Sequence, residues 1–154
     1  MLDAGDPAPH FSLPTSSGRP ADLAGYAGKS LVLFFYPKDD TEVCTREAVA
    51  FSEMQARFTR KGAVLLGVSR DPLTRHAKFI AKHNLKVRLA SDEDGAVCES
   101  FGVWQEKTLY GRKFMGIVRS TFLIGPDGRL RHVWRNVRVP GHAEAVFEAL
   151  GAVR

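Results

Sequence analysis

Apolar residues fall along this chain in two patterns that take turns. Ser30-Leu-Val-Leu-Phe-Phe-Tyr36 is an unbroken apolar run of strand length, which predicts a central strand buried on both faces. Ala63-Val-Leu-Leu-Gly-Val-Ser69 repeats the pattern, and Val87-Arg-Leu-Ala90 is a weaker third. Ser120–Ile124 and Leu130–Trp134 flank Gly125-Pro126-Asp127-Gly128 and read as a hairpin. Between these runs the period lengthens. Phe51, Met54 and Phe58, spaced by three and four, mark the buried stripe of a helix over roughly residues 41–60. Asp71-Pro72 reads as a helix start, with Asp71 as N-cap and Pro72 at the first helical position, leading to about His83. Ser91-Asp-Glu-Asp94 predicts the opening of a third helix that ends near Phe101-Gly102, and residues 141–150 predict a fourth.

The order βαβαβα, then a hairpin, then α, predicts an α/β fold: a mixed sheet covered by helices. No repeat, low-complexity tract or linker interrupts it, so one domain over residues 1–154 is expected. Sites in such folds gather at the carboxyl ends of the parallel strands, where helix N-termini face the crevice. The first long strand ends at Tyr36, and Cys44 follows a short loop, in the first turn of the next helix. Unpaired N–H groups and the positive end of the helix dipole favour a thiolate there. A buried small hydrophobe is the ordinary reading of a lone cysteine, and it suits Cys98 better than Cys44.

Composition narrows the options. The chain is 44% hydrophobic and 25% charged, within the globular range. The start, Met1-Leu2-Asp3-Ala4-Gly5-Asp6, has neither a basic segment nor an apolar run, and Ser30–Tyr36 is too short to cross a bilayer. A soluble, cytoplasmic protein with no membrane partner is therefore expected. The formal charge is +5, but no block of like charges exists. The densest basic region, Arg129, Arg131, Arg135 and Arg138, lies on a strand and its following turn, and no nucleic-acid-binding signature accompanies it. No nucleic-acid partner is expected. The two cysteines form no CxxC, and the five histidines show no metal-ligand spacing.

The segment Phe35-Tyr36-Pro37-Lys38-Asp39-Asp40-Thr41-Glu42-Val43-Cys44-Thr45-Arg46-Glu47 resembles the active-site loop of peroxiredoxins, with their Pro-x-x-x-Thr-x-x-Cys pattern at Pro37, Thr41 and Cys44. Its wording is similar to that of the peroxiredoxin Q group, also called bacterioferritin comigratory proteins. Gly5-Asp6-x-Ala8-Pro9-x-Phe11-x-Leu13, Phe101-Gly102-Val103-Trp104, Arg119-Ser-Thr-Phe-Leu-Ile124 and Val137-Arg-Val-Pro-Gly-His142 extend the resemblance over nearly the whole chain. It implies a thioredoxin-like fold and a thiol-dependent peroxidase acting on hydrogen peroxide and organic hydroperoxides. Cys44 would be the nucleophile, and no metal, haem, flavin or nucleotide would be needed. The implied partners are a hydroperoxide and a thioredoxin-like or low-molecular-weight thiol reductant, with a monomer or weak homodimer as the assembly.

Each implied site residue also has a physical reading. Thr41, three positions before Cys44, can face the same pocket from the first helical turn and accept a hydrogen bond from the peroxide; it can equally cap the helix. Pro37, with no N–H, can wall the pocket or merely end the strand. Arg119, selected by the resemblance alone, would favour the thiolate and stabilise charge on the leaving oxygen. Glu47, one turn past Cys44, would orient Arg119 or complement the helix dipole.

Three positions depart from the family pattern. Glu42-Val43 stand where Pro-Gly is usual, so the loop must avoid a positive φ at Val43, and the Glu42 carboxylate could temper the thiolate. Val49 and Ile80 stand where other members carry a second cysteine. Cys98 is then the only intramolecular candidate to resolve an oxidised Cys44. Its neighbours Ala96, Val97 and Phe101 predict burial, which favours a one-cysteine cycle completed by an external thiol. The rival reading, a thioredoxin-like binding or chaperone protein with a relic cysteine, rests on Glu42-Val43 alone.

Overall fold

A computed structural model describes residues 1–152; Val153 and Arg154, the end of the expected 1–154 unit, lie outside the described residues. Two short strands, β1 (Ser12–Leu13) and β2 (Ala21–Asp22), precede β3 (Ser30–Phe35), α1 (Glu42–Arg60), β4 (Ala63–Ser69), α2 (Leu73–His83) and β5 (Arg88–Ser91). The chain continues through α3 (Ala96–Ser100), a hairpin of β6 (Trp104–Leu109) and β7 (Arg112–Ile117), then β8 (Ser120–Ile124), β9 (Leu130–Arg135) and α4 (His142–Gly151). The main sheet has five strands in the order β5-β4-β3-β8-β9. β3, β4 and β5 run parallel, while β8 runs antiparallel to β3 and β9 antiparallel to β8. This is the mixed, helix-flanked sheet that the apolar runs predict.

Every residue of β3 is buried because each face meets its own core. Val32, Phe34 and Tyr36 point into a cluster with Phe51, Met54 and Phe58 of α1, Phe79 of α2 and Val146 and Leu150 of α4. Leu31, Leu33 and Phe35 point the other way, toward Phe11, Leu13, Cys98, Phe101 and Val103. The period of two along β3 thus makes it the wall between two cores.

Several expected boundaries move, each for a local reason. The second helix begins at Leu73, with Pro72 as N-cap in an extended conformation, instead of Pro72 after an Asp71 cap. The Asp71 carboxylate is already engaged: Oδ2 accepts from the Asp39 N–H at 2.8 Å and from the Ser69 hydroxyl at 2.7 Å. The third helix is shorter than residues 91–101, because Ser91 completes β5 and Gly95 turns at φ 77° before the helix opens at Ala96. Asp92 reaches across that turn to accept the N–H groups of Val97 and Cys98, an acidic cap set back from the helix start. The β6–β7 hairpin was not expected at all. Its turn is Tyr110-Gly111, both at positive φ (51° and 77°), and a tyrosine there gives no recognisable turn signal.

Three of the four arginines of the basic cluster make contacts within the molecule, and Arg138 is exposed. Arg129 and Arg135 donate to the carbonyls of Gly5 and Leu2, tying down the N-terminal segment, and Arg131 pairs with Asp127.

Gly67, in the middle of β4, is fixed by close approach. A Cβ there would lie 2.7 Å from the Phe34 ring and 2.8 Å from a Leu89 methyl. We predict that Gly67→Ala destabilises the fold by about 1–3 kcal/mol through overpacking. Urea unfolding should show a lower midpoint with an unchanged slope.

Candidate active site

Topology delivers the site. Antiparallel pairing of β3 with β8, in the register Phe35↔Ser120, brings Arg119 to the carboxyl end of β3, where the loop to α1 begins. Thr41 is the N-cap of α1 and Cys44 the third helical residue. Cys44 is buried, with 3% of its surface exposed. The Arg119 Nη2 donates to its Sγ at 3.0 Å, and Nη1 of the same guanidinium donates to Glu47 Oε1 at 2.6 Å. The fork of the guanidinium is thereby divided between a thiol and a carboxyl one helical turn apart.

The remaining expected residues fall around this pair. Thr41 lies one residue outside the helix, in an extended conformation (φ −88°, ψ 157°), so it does not share the first helical turn with Cys44 as expected. Its hydroxyl caps no helix N–H. It donates instead to the Lys38 carbonyl at 2.9 Å, which uses its one proton and leaves its lone pairs as acceptors. Pro37 is half-buried in the loop that follows β3. Glu42 is largely exposed and lies 3.4 Å from Arg46, its partner one turn along α1. Val43 takes an ordinary helical conformation in α1, and the positive φ of this loop falls on Asp40 (61°).

Lys107, which the sequence did not single out, and His142, the last residue of the Val137–His142 match, complete the surroundings. Lys107 of β6 folds over Gly116 of the hairpin, where a Cβ would meet its stem at 3.0 Å, and its ammonium donates to the Ile117 carbonyl at 3.0 Å. Burial lowers its pKa and the charge of Arg119 lowers it further, while Cys44 acts in the opposite sense. His142, at the start of α4, packs edge-on against Phe51 and Trp134 and lies 2.8 Å from the Thr121 hydroxyl.

Behind the loop is a buried polar cluster. The Tyr36 hydroxyl donates to Asp39 Oδ1 at 2.5 Å, and Asp39 Oδ2 lies 2.6 Å from Nδ1 of a fully buried His76. The Nε2 of His76 faces the Ala90 carbonyl at 3.0 Å and therefore carries a proton. On the surface, Asp40 pairs with Lys82 and His83 of α2, both at 2.8 Å. The sequence placed Tyr36, Asp39 and Asp40 in the active-site loop, but their partners His76, Lys82 and His83 are ordinary residues until tertiary structure brings them to it.

Cys98 lies in the opposite core, on the far face of β3. Burial and the adjacent Asp92 carboxylate push its thiol well above the ordinary range. Val49 and Ile80 pack against the core on the Cys44 side.

A helix-start thiol held by an arginine at the end of a central strand, in a mixed helix-flanked sheet, defines a thiol-redox protein of thioredoxin-like architecture. The comparisons make this specific. Residues 4–133 match the AhpC/TSA family model. Peroxiredoxin Bcp of Xanthomonas campestris pv. campestris is 46% identical over 148 residues, covering 95% of this chain and 92% of that protein. Peroxiredoxin Bcp of Bacillus subtilis is 42% identical over 149 residues, covering 97% and 95%. Among solved structures, a cysteine-to-serine mutant of Xylella fastidiosa peroxiredoxin Q superposes with a TM-score of 0.93 at 41% identity, covering 99% of this chain and 97% of that one. A structure of the Xanthomonas campestris bacterioferritin comigratory protein, solved to study its alkyl peroxide reduction activity, gives 0.90 at 42% identity, covering 97% and 98%. The chain belongs to the AhpC/TSA family, in its peroxiredoxin Q group of thiol-dependent peroxidases.

Two buried groups at the site titrate in opposite senses. Burial pushes the Glu47 carboxyl up to about 7 from 4.5, against the charge and hydrogen bond of Arg119. Burial, helped by Arg119, pushes His142 down to about 4 from 6.5. An acid whose folded value is raised binds more protons folded, so the stability it contributes is lost as pH rises toward 7. A histidine whose folded value is lowered binds fewer protons folded, so its contribution is lost as pH falls from 6.5 toward 4. The two windows overlap and offset each other. We predict that Glu47→Gln steepens the loss of stability between about pH 7 and pH 4, by up to roughly 2–3 kcal/mol relative to the parent, and that His142→Gln makes it shallower. Chemical denaturation across that range should separate the two slopes.

Proposed function

We propose that Cys44 is the peroxidatic residue and that Arg119, Thr41 and Pro37 form its immediate machinery. The observation that carries this reading is the 3.0 Å contact between Arg119 Nη2 and the Cys44 sulfur at the first turn of α1. A fixed guanidinium and helix N–H groups both favour the thiolate. The thiolate attacks the terminal oxygen of a hydroperoxide, the S–O bond forms as the O–O bond breaks, and the leaving oxygen departs as water or an alcohol after taking a proton. Arg119 stabilises the charge that develops on that oxygen. Thr41, whose hydroxyl proton is already engaged, accepts the hydrogen bond of the peroxide and aligns it. Pro37 shields the pocket from water without presenting an N–H.

We assign hydrogen peroxide and organic hydroperoxides as substrates, the latter in keeping with the alkyl peroxide reduction of the Xanthomonas campestris relative. Regeneration follows a one-cysteine cycle: an external thiol attacks the sulfenic sulfur, expelling water, and a second thiol exchanges to free Cys44. Placement of Cys98 across the sheet, with its thiol strongly favoured over the thiolate, supports an external thiol over an internal one. A thioredoxin-like protein or a small thiol fits that role, and a reducing cytoplasm suits the cycle. We expect residues 1–154 to act as one domain, as a monomer or weak homodimer.

Cys44→Ser should abolish peroxide consumption in a thiol-coupled assay while leaving the circular dichroism spectrum unchanged; retained turnover would overturn the assignment. Intact mass after one equivalent of peroxide, without reductant, tests the cycle. A gain of about 16 Da with a dimedone adduct on Cys44 is expected. A loss of about 2 Da with Cys44 and Cys98 linked would make Cys98 the resolving residue.

A further inference from the structure

Glu47 is buried (1% exposed), yet among the described residues only one of its oxygens has a protein partner: Oε1 accepts from Arg119, and Oε2 is buried with none. An ionised carboxylate with a bare buried oxygen is a costly state, and the neutral acid is cheaper to bury. Its partner is moreover shared. The single Arg119 guanidinium serves both Glu47 and Cys44, so two buried acids compete for one cation. Both negative charges at once would leave one of them poorly compensated in a region of low dielectric.

We propose that Cys44 and Glu47 share a single dissociable proton across Arg119, so that Glu47 is a neutral acid while Cys44 is a thiolate and ionises when the sulfur is oxidised. The proposal rests on Cys44 being the oxidised sulfur. In the step itself, thiolate, carboxylic acid and hydroperoxide become sulfenic acid, carboxylate and alcohol or water. The S–O bond forms, the O–O bond breaks, and the two electrons lost by sulfur are gained by the peroxide. The leaving oxygen takes up one proton as Glu47 gives one up, so the site keeps its net charge. Arg119 passes its pairing from sulfur to carboxylate as the sulfur becomes neutral. Glu47 is in this sense a positioning residue that acts through Arg119.

The other charged groups facing the pair fit this arrangement. Lys107, from β6, is bonded to the Ile117 carbonyl and forms no ion pair with Glu47 among the described residues, so it does not replace Arg119. His142, from α4, is pushed down to about 4 and is neutral at pH 7, so it contributes no second cation. The elevation of Glu47 to about 7 places its proton exchange in the working range.

The test counts protons. Reduced protein in weakly buffered indicator dye at pH 7 receives one equivalent of hydrogen peroxide, and the sulfenic acid formed is quantified as its dimedone adduct. The parent protein should take up between about half a proton and one proton fewer per Cys44 oxidised than Glu47→Gln, because a carboxyl that titrates at about 7 is at least part protonated at pH 7 and the glutamine has no proton to release. Equal uptake in the two proteins overturns the proposal. Should the variant fail to fold, the parent carries the test through its oxidised-minus-reduced infrared spectrum. Loss of a protonated-carboxyl band that shifts in heavy water is expected, and an unchanged carboxyl region overturns the proposal. An absent adduct on the parent Cys44 would instead overturn the assignment of the nucleophile, and this proposal with it.

Discussion

A guanidinium placed between a buried thiol and a buried carboxyl is the constraint around which this molecule is organised. Arg119 can hold both Cys44 and Glu47 only if α1 presents them on the same side, one turn apart, and if β8 begins beside the start of that helix. The antiparallel register of β8 against β3 meets the second requirement, and the helical spacing of 44 and 47 the first. A lysine could supply the charge but not the fork. Its single ammonium has no fixed pair of N–H vectors with which to hold two acceptors in a set geometry. Burial then raises the stakes, because removal of the guanidinium would strand Glu47 without its one hydrogen-bond partner among the described residues.

Such a contact is only as good as the loop that starts the helix. Residues 37–41 lead from β3 into α1 through a turn at Asp39-Asp40, with Asp40 in the left-handed region. Two sets of contacts hold them. Below, the Asp39 carboxylate links Tyr36 and His76 by short hydrogen bonds, and the Asp39 N–H extends the chain through Asp71 to Ser69. Above, Asp40 is held by Lys82 and His83 at the end of α2. Exposed pairs of this kind contribute little alone, so the buried set carries the restraint. It joins the loop to α2 and, through the Ala90 carbonyl, to β5, and thus ties the position of Thr41 and Cys44 to the far edge of the sheet.

The sequence made legible what depends on local pattern. The buried strand from Ser30, the helical stripe of Phe51, Met54 and Phe58 and the hairpin at Gly125–Gly128 follow from periodicity and turn chemistry, and the structure places them there. Cys44 stood out for its place after a strand and at a helix start. What escaped was set by contacts distant in sequence. Asp71 looks like an N-cap until Asp39, 32 positions earlier, claims its carboxylate. The β6–β7 strands carry mostly exposed side chains and so lack an apolar signature. Lys107, His76 and His142 are unremarkable letters whose significance is made by burial. Arg119 was legible only through the family pattern, since one arginine among 22 basic residues carries no mark of its own.

The two cysteines illustrate how the sheet itself decides chemistry. Alternation along β3 sends Phe34 toward the Cys44 core and Phe35 toward the Cys98 core, so the sulfurs lie among different side chains on opposite faces of one wall. A disulfide needs Cα atoms within about 7 Å and aligned Cβ vectors. To meet that geometry, one thiol would have to leave its core and travel around the sheet edge. For Cys98 this means breaking the bonds from the Val97 and Cys98 N–H groups to Asp92 and unpacking Phe101, which touches Phe11, Phe35 and Phe122. For Cys44 it means giving up Arg119 and the Phe51 stripe of α1. Where Val49 and Ile80 fill core space on the Cys44 side, no thiol stands ready on that face. Packing therefore keeps the two thiols apart, each held in its own core on its own face of β3.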